Sequence, residues 1–472
     1  YWRDWSSDVC SSDLKAGPRP RASRDCRVRG SSTTSCDHGT PTQVRNYCPC
    51  VHKLRERRFV ILAVATYWLI RLSAVVGTRP QLFQDSFGYL DEKLFGSPFR
   101  TWPVVLAYSL LSTNHLRVLV QTIIGCAAWS HLALTAPRTG RRGILLAVAV
   151  LTLGLSPAVT RFDSAVLSES LAISSCVFFV SLLIRDSLGT RRQPLLPVAW
   201  MLFVMIRPQH LLPGIAVGVI ILGYRLLRRL DFRLTHVCYV IVGLLSLLQL
   251  SALSAVRDLN MYWIISTRVM SDSGRFSWWA DHGMPVSEGI RYVNEFVIPA
   301  SAVDDKVRRI ISVPVGQDVP AIVDAGGTAL ARWVKKDAWG TYAMRVLSHP
   351  GETVDSLTRY LDTSLSSRVT TFLPPPERTT GPQYLFGTWQ LLGASCLAGI
   401  ATLAVAGRRQ SAWTVILLLA LTFALYSTSV LGSGIEVQRH AVTSAVMLRL
   451  AAVSAIMFVL SPNHRQGTED PP

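Results

Sequence analysis

Apolar residues run through this chain in long blocks separated by short basic stretches. The blocks fall approximately at 59–76, 116–135, 144–158, 164–184, 195–206, 209–224, 235–254, 384–406, 412–431 and 439–460. A helix needs about 20 apolar residues to cross a bilayer. The pattern therefore predicts an all-α polytopic membrane protein with about ten transmembrane helices. A further apolar piece, 102–113, is too short to span. Between the seventh and eighth blocks lies 255–383, too long for a plain connection. Helical patterns recur inside it at 329–347 and 351–365, ahead of the break Pro374-Pro375-Pro376.

Composition and charge fix the class and the orientation. Of 472 residues 49% are hydrophobic and only 17% are charged, against roughly 25% charged in soluble chains. The net charge of +18 would suit nucleic acid if it covered one soluble face. It is instead mostly Arg in loops between apolar blocks, so nucleic acid is excluded as a partner. The loops 52–58, 136–143, 185–194, 225–233, 407–410 and the tail hold seventeen Lys and Arg. The short loops of the other side hold five, at Arg79, Lys93, Arg100, Arg161 and Arg207. Positive loops stay cytoplasmic. Both termini are then expected inside a plasma (inner) membrane, with 255–383 outside. The piece 102–113 is expected flat on the outer surface, because a crossing there would turn every later basic loop outward.

The expected organisation is a membrane module over 51–254 with a first outer loop at 77–115. The extracytoplasmic region 255–383, C-terminal helices over 384–460 and a tail over 461–472 follow. Residues 1–50 read as a non-native or disordered leader, with Val51 as a candidate start. The leader carries five of the nine Cys, but Cys48-Pro49-Cys50 is one residue short of a metal or redox pair.

Ionisable residues at membrane depth are costly and seldom idle, and nearly all of them fall on the outer side. Asp85, in Asp85-Ser86-Phe87-Gly88-Tyr89-Leu90, can serve as a general base; a solvated loop or helix cap is the competing reading. Arg161 and Asp163 lie at the interface, where a mutual ion pair is the plain alternative. Glu169 is expected more than one turn down its span. Arg207 precedes Pro208 and can grip a phosphate or snorkel. Glu436, Arg439 and His440 follow Gly432 and Gly434, at what reads as the start of a span suited to an anion. Arg71, inside the first span, reads as a snorkelling side chain. No Walker A, zincin or nucleophile-elbow pattern occurs.

This arrangement resembles the GT-C superfamily of integral-membrane glycosyltransferases, and is similar to bacterial relatives of the polyprenyl- or dolichyl-phosphate-mannose protein mannosyltransferases. The resemblance is architectural over roughly 55–460, with juxtamembrane helices near 86–95 and 102–113. It implies Asp85, within Asp85-Ser86-Phe87-Gly88-Tyr89-Leu90, as catalytic base and Glu169, Arg207, Arg439 and His440 as donor-phosphate or substrate contacts; Tyr89, Arg161, Asp163 and Glu436 join them as candidate contacts by their positions. Many members carry an Asp-Glu pair in the first loop, whereas Ser86 follows Asp85 here; no metal ligand is assigned and a divalent metal is left open. The implied partners are a polyprenyl-phosphate-linked sugar, an extracytoplasmic acceptor and the lipid bilayer. An O-antigen ligase or polymerase, and a transporter or lipid flippase, are the alternatives.

Overall fold

The computed structural model describes residues 49–90, 100–136, 140–189, 193–227, 234–286, 297–298, 306, 319–320, 329–366, 378, 380–381, 387–434 and 436–461. The leader, apart from its last two residues, and the triple-proline break lie outside the described residues, as does the tail beyond Ser461.

The described chain is almost wholly helical. The first half holds α1 (Pro49–Ser73), α2 (Gln84–Leu90), α3 (Trp102–Ser109), α4 (Asn114–Ala133), α5 (Gly140–Gly154), α6 (Pro157–Thr160), α7 (Ser168–Ser187), α8 (Leu196–Met205), α9 (Pro208–Leu227) and α10 (Leu234–Ala252). There follow α11 (Ser254–Ile264), a π-helical turn at Ile265–Val269, and α12 (Ser273–Asp281). Val297–Ile298 and Val319–Pro320 pair antiparallel. The rest is α13 (Ala329–Lys336), α14 (Ala338–Ser348), α15 (Pro350–Arg359), α16 (Leu361–Leu365), α17 (Trp389–Val405), α18 (Arg409–Gly432), α19 (Val437–His440) and α20 (Val442–Leu460).

Among the described residues, four helices are long and apolar enough to cross a membrane: α4, α7, α18 and α20. A fifth is counted if 236–252 and 254–269, bent by 65° at Leu253, form one span. The expected count of about ten is not reached on this measure. The apolar stretches Arg142–Gly154, Leu196–Met205 and Trp389–Val405 are helical but only 10–17 residues long, short of the roughly 20 that 30 Å of hydrocarbon demands at 1.5 Å per residue.

Small residues let these helices approach closely, as membrane interiors favour. A Cβ on Gly218 of α9 would lie 3.0 Å from the Gly243 Cα of α10, and one on Gly399 of α17 would lie 2.7 Å from the Ala455 Cβ of α20. The central helices α7 and α20 bury Ser170, Ser174, Ser181, Ser444 and Ser454 along with their apolar side chains. The hydroxyls of Ser174 and Ser454 donate back to Ser170 and Leu450 carbonyls, one turn earlier, at 2.7 and 2.6 Å.

The connection from α6 to α7 is pinned from several sides. Gln121 of α4 donates its amide to the Asp163 and Ala165 carbonyls at 2.7 and 2.8 Å. The Tyr108 hydroxyl sits 2.7 Å from both Gln121 Oε1 and the Leu167 carbonyl, and donates to one at a time. Gln81 forms a parallel bridge with Ala165, and the Ser86 hydroxyl donates to the Val166 carbonyl at 2.8 Å. Gln81 and Ser86 are thereby tied to the connection that leads into α7.

Arg71 does not snorkel. It lies in the last turn of α1 and grips Asp163 with two nitrogens, Nε at 2.7 Å and Nη2 at 3.0 Å, both side chains 1% exposed. Tyr67 at 2.5 Å and, on the Asp163 side, Ser170 at 2.7 Å complete the cluster. Gly125 makes room for it: a Cβ there would stand 2.5 Å from Arg71 Nη2. Removing one partner strands a buried charge, so Asp163→Ala is expected to cost about 3–5 kcal/mol. A thermal melt in detergent measures this; a wild-type midpoint would mean the pair holds nothing together. The double change Arg71→Met, Asp163→Leu, by removing both charges, is expected to recover most of the loss.

Candidate functional site

Six segments bring polar side chains to the same end of the bundle: α2, Arg100 just before α3, the start of α7, the α8–α9 junction, the segment after α18, and α19. The chemistry centres on Arg439 of α19, which is 4% exposed. Its Nε donates to Glu169 Oε1 at 2.5 Å, its Nη1 to Glu436 Oε2 at 2.7 Å, and its Nη2 to Asp85 Oδ2. One guanidinium therefore carries three carboxylates. A planar fork with donors on three nitrogens is the side chain suited to this; a lysine ammonium would not match the geometry.

Two further guanidiniums flank it. Arg207, 3% exposed, places Nη2 3.3 Å from the same Glu169 oxygen. Arg100 donates Nη2 to Asp85 Oδ1 at 2.8 Å, and its guanidinium lies 4.8 Å over the Tyr89 ring. Tyr89 is buried and meets Tyr108 edge to face at 5.9 Å. The site is graded by depth. Glu169, Arg207 and Arg439 are sealed off, while Asp85 at 34%, Arg100 at 20% and Glu436 at 20% form a rim that water reaches.

His440 sits beside the cations yet is held neutral. Its Nδ1 receives Arg207 Nη2 at 3.4 Å and Gln209 Nε2. Arginine can only donate, so the Arg207 contact favours a bare Nδ1 with the proton on Nε2. Burial first, then Arg207 and Arg439, push the imidazole down to about 3. Burial raises the Asp85 carboxyl, but Arg439 and Arg100 more than reverse this and hold it well below the usual carboxylate range. Glu436 goes the other way. Burial lifts it against the pull of Arg439, Asp85 and Glu169 add to the lift, and it is raised to about 7.

The backbone beneath Glu436 is unusual. Among the described residues it is the one non-glycine with positive φ, at 53°, a region that costs roughly 1–2 kcal/mol without glycine's freedom. The segment that follows α10 clamps this turn. A Cβ on Gly434 would stand 2.4 Å from the Trp263 carbonyl carbon. Thr267 donates to the Gly434 carbonyl at 2.9 Å and Tyr342 to that of Leu431 at 2.7 Å, while Arg268 reaches the Ser433 carbonyl at 2.5 Å. The π-helical turn puts Thr267 and Arg268 on this loop, and a core of Phe276, Trp279, Leu330 and Trp333 backs it. Trp279 and Trp333 are buried against each other at 5.7 Å and present no open platform.

Of the residues singled out from sequence, Asp85, Glu169, Arg207, Glu436, Arg439 and His440 meet here, with Tyr89 under Arg100. Asp163 does not reach the cluster; it is engaged by Arg71. Arg161 is buried in the turn after α6, where desolvation lowers it to about 10. Two positions differ from expectation. Glu169 is in the first turn of α7 rather than deep in a span, because 161–164 is a turn and Ala165, which follows it, is bridged to Gln81. Arg439 and His440 end the separate four-residue α19 rather than opening the long helix. Sequence reasoning missed Arg100, which reads as an ordinary loop cation, and Gln209, which is neutral. The hint was present for Gln209 in its place two residues after Arg207.

Among the described residues no group of three His, Cys, Asp or Glu side chains is arranged to hold a metal ion. Glu436 gives a pH test. Between its ordinary 4.5 and about 7, the folded protein keeps a proton that the unfolded chain has released. Its contribution to stability is thus full below about 4.5 and lost as pH rises through 7. Glu436→Gln is expected to remove that decline. The wild-type minus variant difference in melting temperature across pH 4.5 to 7.5 isolates it from the opposite trend of His440; a pH-independent difference would contradict the assignment. Compared with known proteins, the chain matches no protein-family model and no curated protein.

Proposed function

We propose that the chain is a GT-C-type membrane glycosyltransferase that moves a sugar from a polyprenyl-phosphate donor to an extracytoplasmic acceptor, with inversion. The observation that carries this reading is the meeting of a water-accessible carboxylate, Asp85, with the guanidiniums of Arg439 and Arg100, beside the sealed Glu169 and Arg207. That combination offers an anion seat and a proton acceptor within one cluster, at the end of an apolar helical bundle where a lipid carrier's head would lie. The charge count over the loops makes this the extracytoplasmic end. About ten crossings follow if the shorter apolar helices also span.

In the reaction the acceptor hydroxyl attacks the anomeric carbon, the carbon–oxygen bond to phosphate breaks on the opposite face, and Asp85 takes the hydroxyl proton. The leaving phosphate carries negative charge, which Arg439 and Arg207 stabilise. Preorganised charges aimed at a leaving group commonly lower the barrier more than the base itself does. Neutral His440 can donate its Nε2 proton as a hydrogen bond without adding charge.

A polyprenyl-pyrophosphate donor, as for an O-antigen ligase or polymerase, would use the same cations and is separated by assay. A transporter is disfavoured by the clustering of ionisable side chains at one end and by the absence of repeat symmetry in the sequence. The test is incubation of purified protein with polyprenyl-phosphate or polyprenyl-pyrophosphate sugars and a cell-envelope extract as the source of acceptor, measuring the free lipid phosphate or pyrophosphate released. Release from the monophosphate donors is expected, and Asp85→Asn is expected to lower it by at least about 100-fold with folding intact. No release from any donor, or full activity in Asp85→Asn, would refute the reading.

A further inference from the structure

Arg439 is oversubscribed. It holds Asp85, Glu169 and Glu436 at once, and Glu169 leans on Arg207 as well. Each of the three nitrogens of Arg439, Nε, Nη1 and Nη2, already donates to a carboxylate. A phosphate that is to meet Arg439 therefore has to replace one of these carboxylates. Glu169 is the least replaceable, being fully buried in the first turn of α7 and held by two guanidiniums. Asp85 is the most replaceable. Its side chain is 34% exposed, it sits on the short helix α2, and a second cation already holds its other oxygen.

We propose that Arg439 is a shared seat, occupied by the Asp85 carboxylate in the empty protein and taken over by the phosphate of the lipid, while Arg100 retains Asp85 and keeps it aimed. The inference takes from the proposed function only that a phosphate meets Arg439. It makes Arg100 a positioning residue: it acts on the phosphate through Asp85, by drawing that carboxylate away from Arg439. Arg100 is itself fixed by the Tyr89 ring beneath it and by contact with the Asp85 backbone carbonyl at 3.5 Å. Gly88 leaves it space, since a Cβ there would stand 2.9 Å from Arg100 Nε. In the empty state the base is paired and idle. Phosphate binding sets it free of one cation, so the donor binds before the acceptor is activated.

Competition of this kind has a signature that a plain binding site lacks: deleting an acidic residue of the active site improves binding. The test measures the affinity of polyprenyl phosphate, without any sugar, for the protein in phosphatidylcholine nanodiscs. Asp85→Asn is expected to tighten binding about tenfold, the scale of one charged hydrogen bond. Arg100→Gln is expected to weaken binding several-fold in the wild-type background, because Asp85 then clings to Arg439, and to change nothing in the Asp85→Asn background. Measured at pH 8.5, where Glu436 is ionised, Glu436→Gln takes a different carboxylate off the same guanidinium and is expected to tighten binding too, so a folding failure of one variant leaves the other informative. Unchanged or weaker binding in Asp85→Asn, or in Glu436→Gln at pH 8.5, would overturn the shared seat. An equal effect of Arg100→Gln in both backgrounds would overturn the role of Arg100. Turnover is no part of this assay. A protein that shows the exchange but transfers no sugar keeps this inference and loses the glycosyltransferase reading.

Discussion

The contact on which the rest depends is the guanidinium of Arg439 bound to carboxylates from three separate parts of the chain, α2, the start of α7 and the turn before α19. Burying a charge costs several kcal/mol unless it is paired and hydrogen-bonded. Arg439 and Glu169 meet that condition only together, with Arg207 as the third member. Each segment carrying a member is therefore held in place by the others. This also explains the gradation from sealed to wet: the deep members are fixed by mutual need, and the rim members, Asp85, Arg100 and Glu436, keep enough water to exchange partners.

The apolar scaffold makes the cluster possible by fixing the connections rather than by touching it. Gln121, Tyr108 and Ser86 satisfy the carbonyls of the α6–α7 connection, which would otherwise be unpaired near hydrocarbon. Arg71 and Asp163 tie that same connection to α1. These contacts set where α7 begins, and hence where Glu169 points. On the far side, Thr267, Arg268 and Tyr342 hold the carbonyls of the turn at 430–434, and Gly434 admits the backbone of Trp263. The left-handed Glu436 sits at the end of this clamped turn, so its strain is offset by contacts made elsewhere.

Much of this was legible in the sequence, for a physical reason. Ionisable residues are rare beside apolar blocks, so Asp85, Glu169, Arg207, Arg439 and His440 stood out, and the bias of Lys and Arg among loops sorted them to one end. What the sequence hid was pairing. Arg71 and Asp163 lie 92 positions apart, and nothing local distinguishes a guanidinium that snorkels from one that finds a carboxylate. Arg100 looked like any loop cation because its partner's side chain is brought to it by the fold of α2. The depth of Glu169 was misjudged because apolar composition continues through 164–167, where the chain is not yet helical and Ala165 is bridged to Gln81. The span count was harder still: composition marks an apolar block, but only the helix length tells whether it reaches across.

The most direct measurement is an experimental structure of the protein with polyprenyl phosphate bound. The account requires the phosphate on Arg439, Glu169 still between Arg439 and Arg207, and the Asp85 carboxylate turned to Arg100 alone. A phosphate seated elsewhere, with the Asp85–Arg439 contact intact, would contradict it.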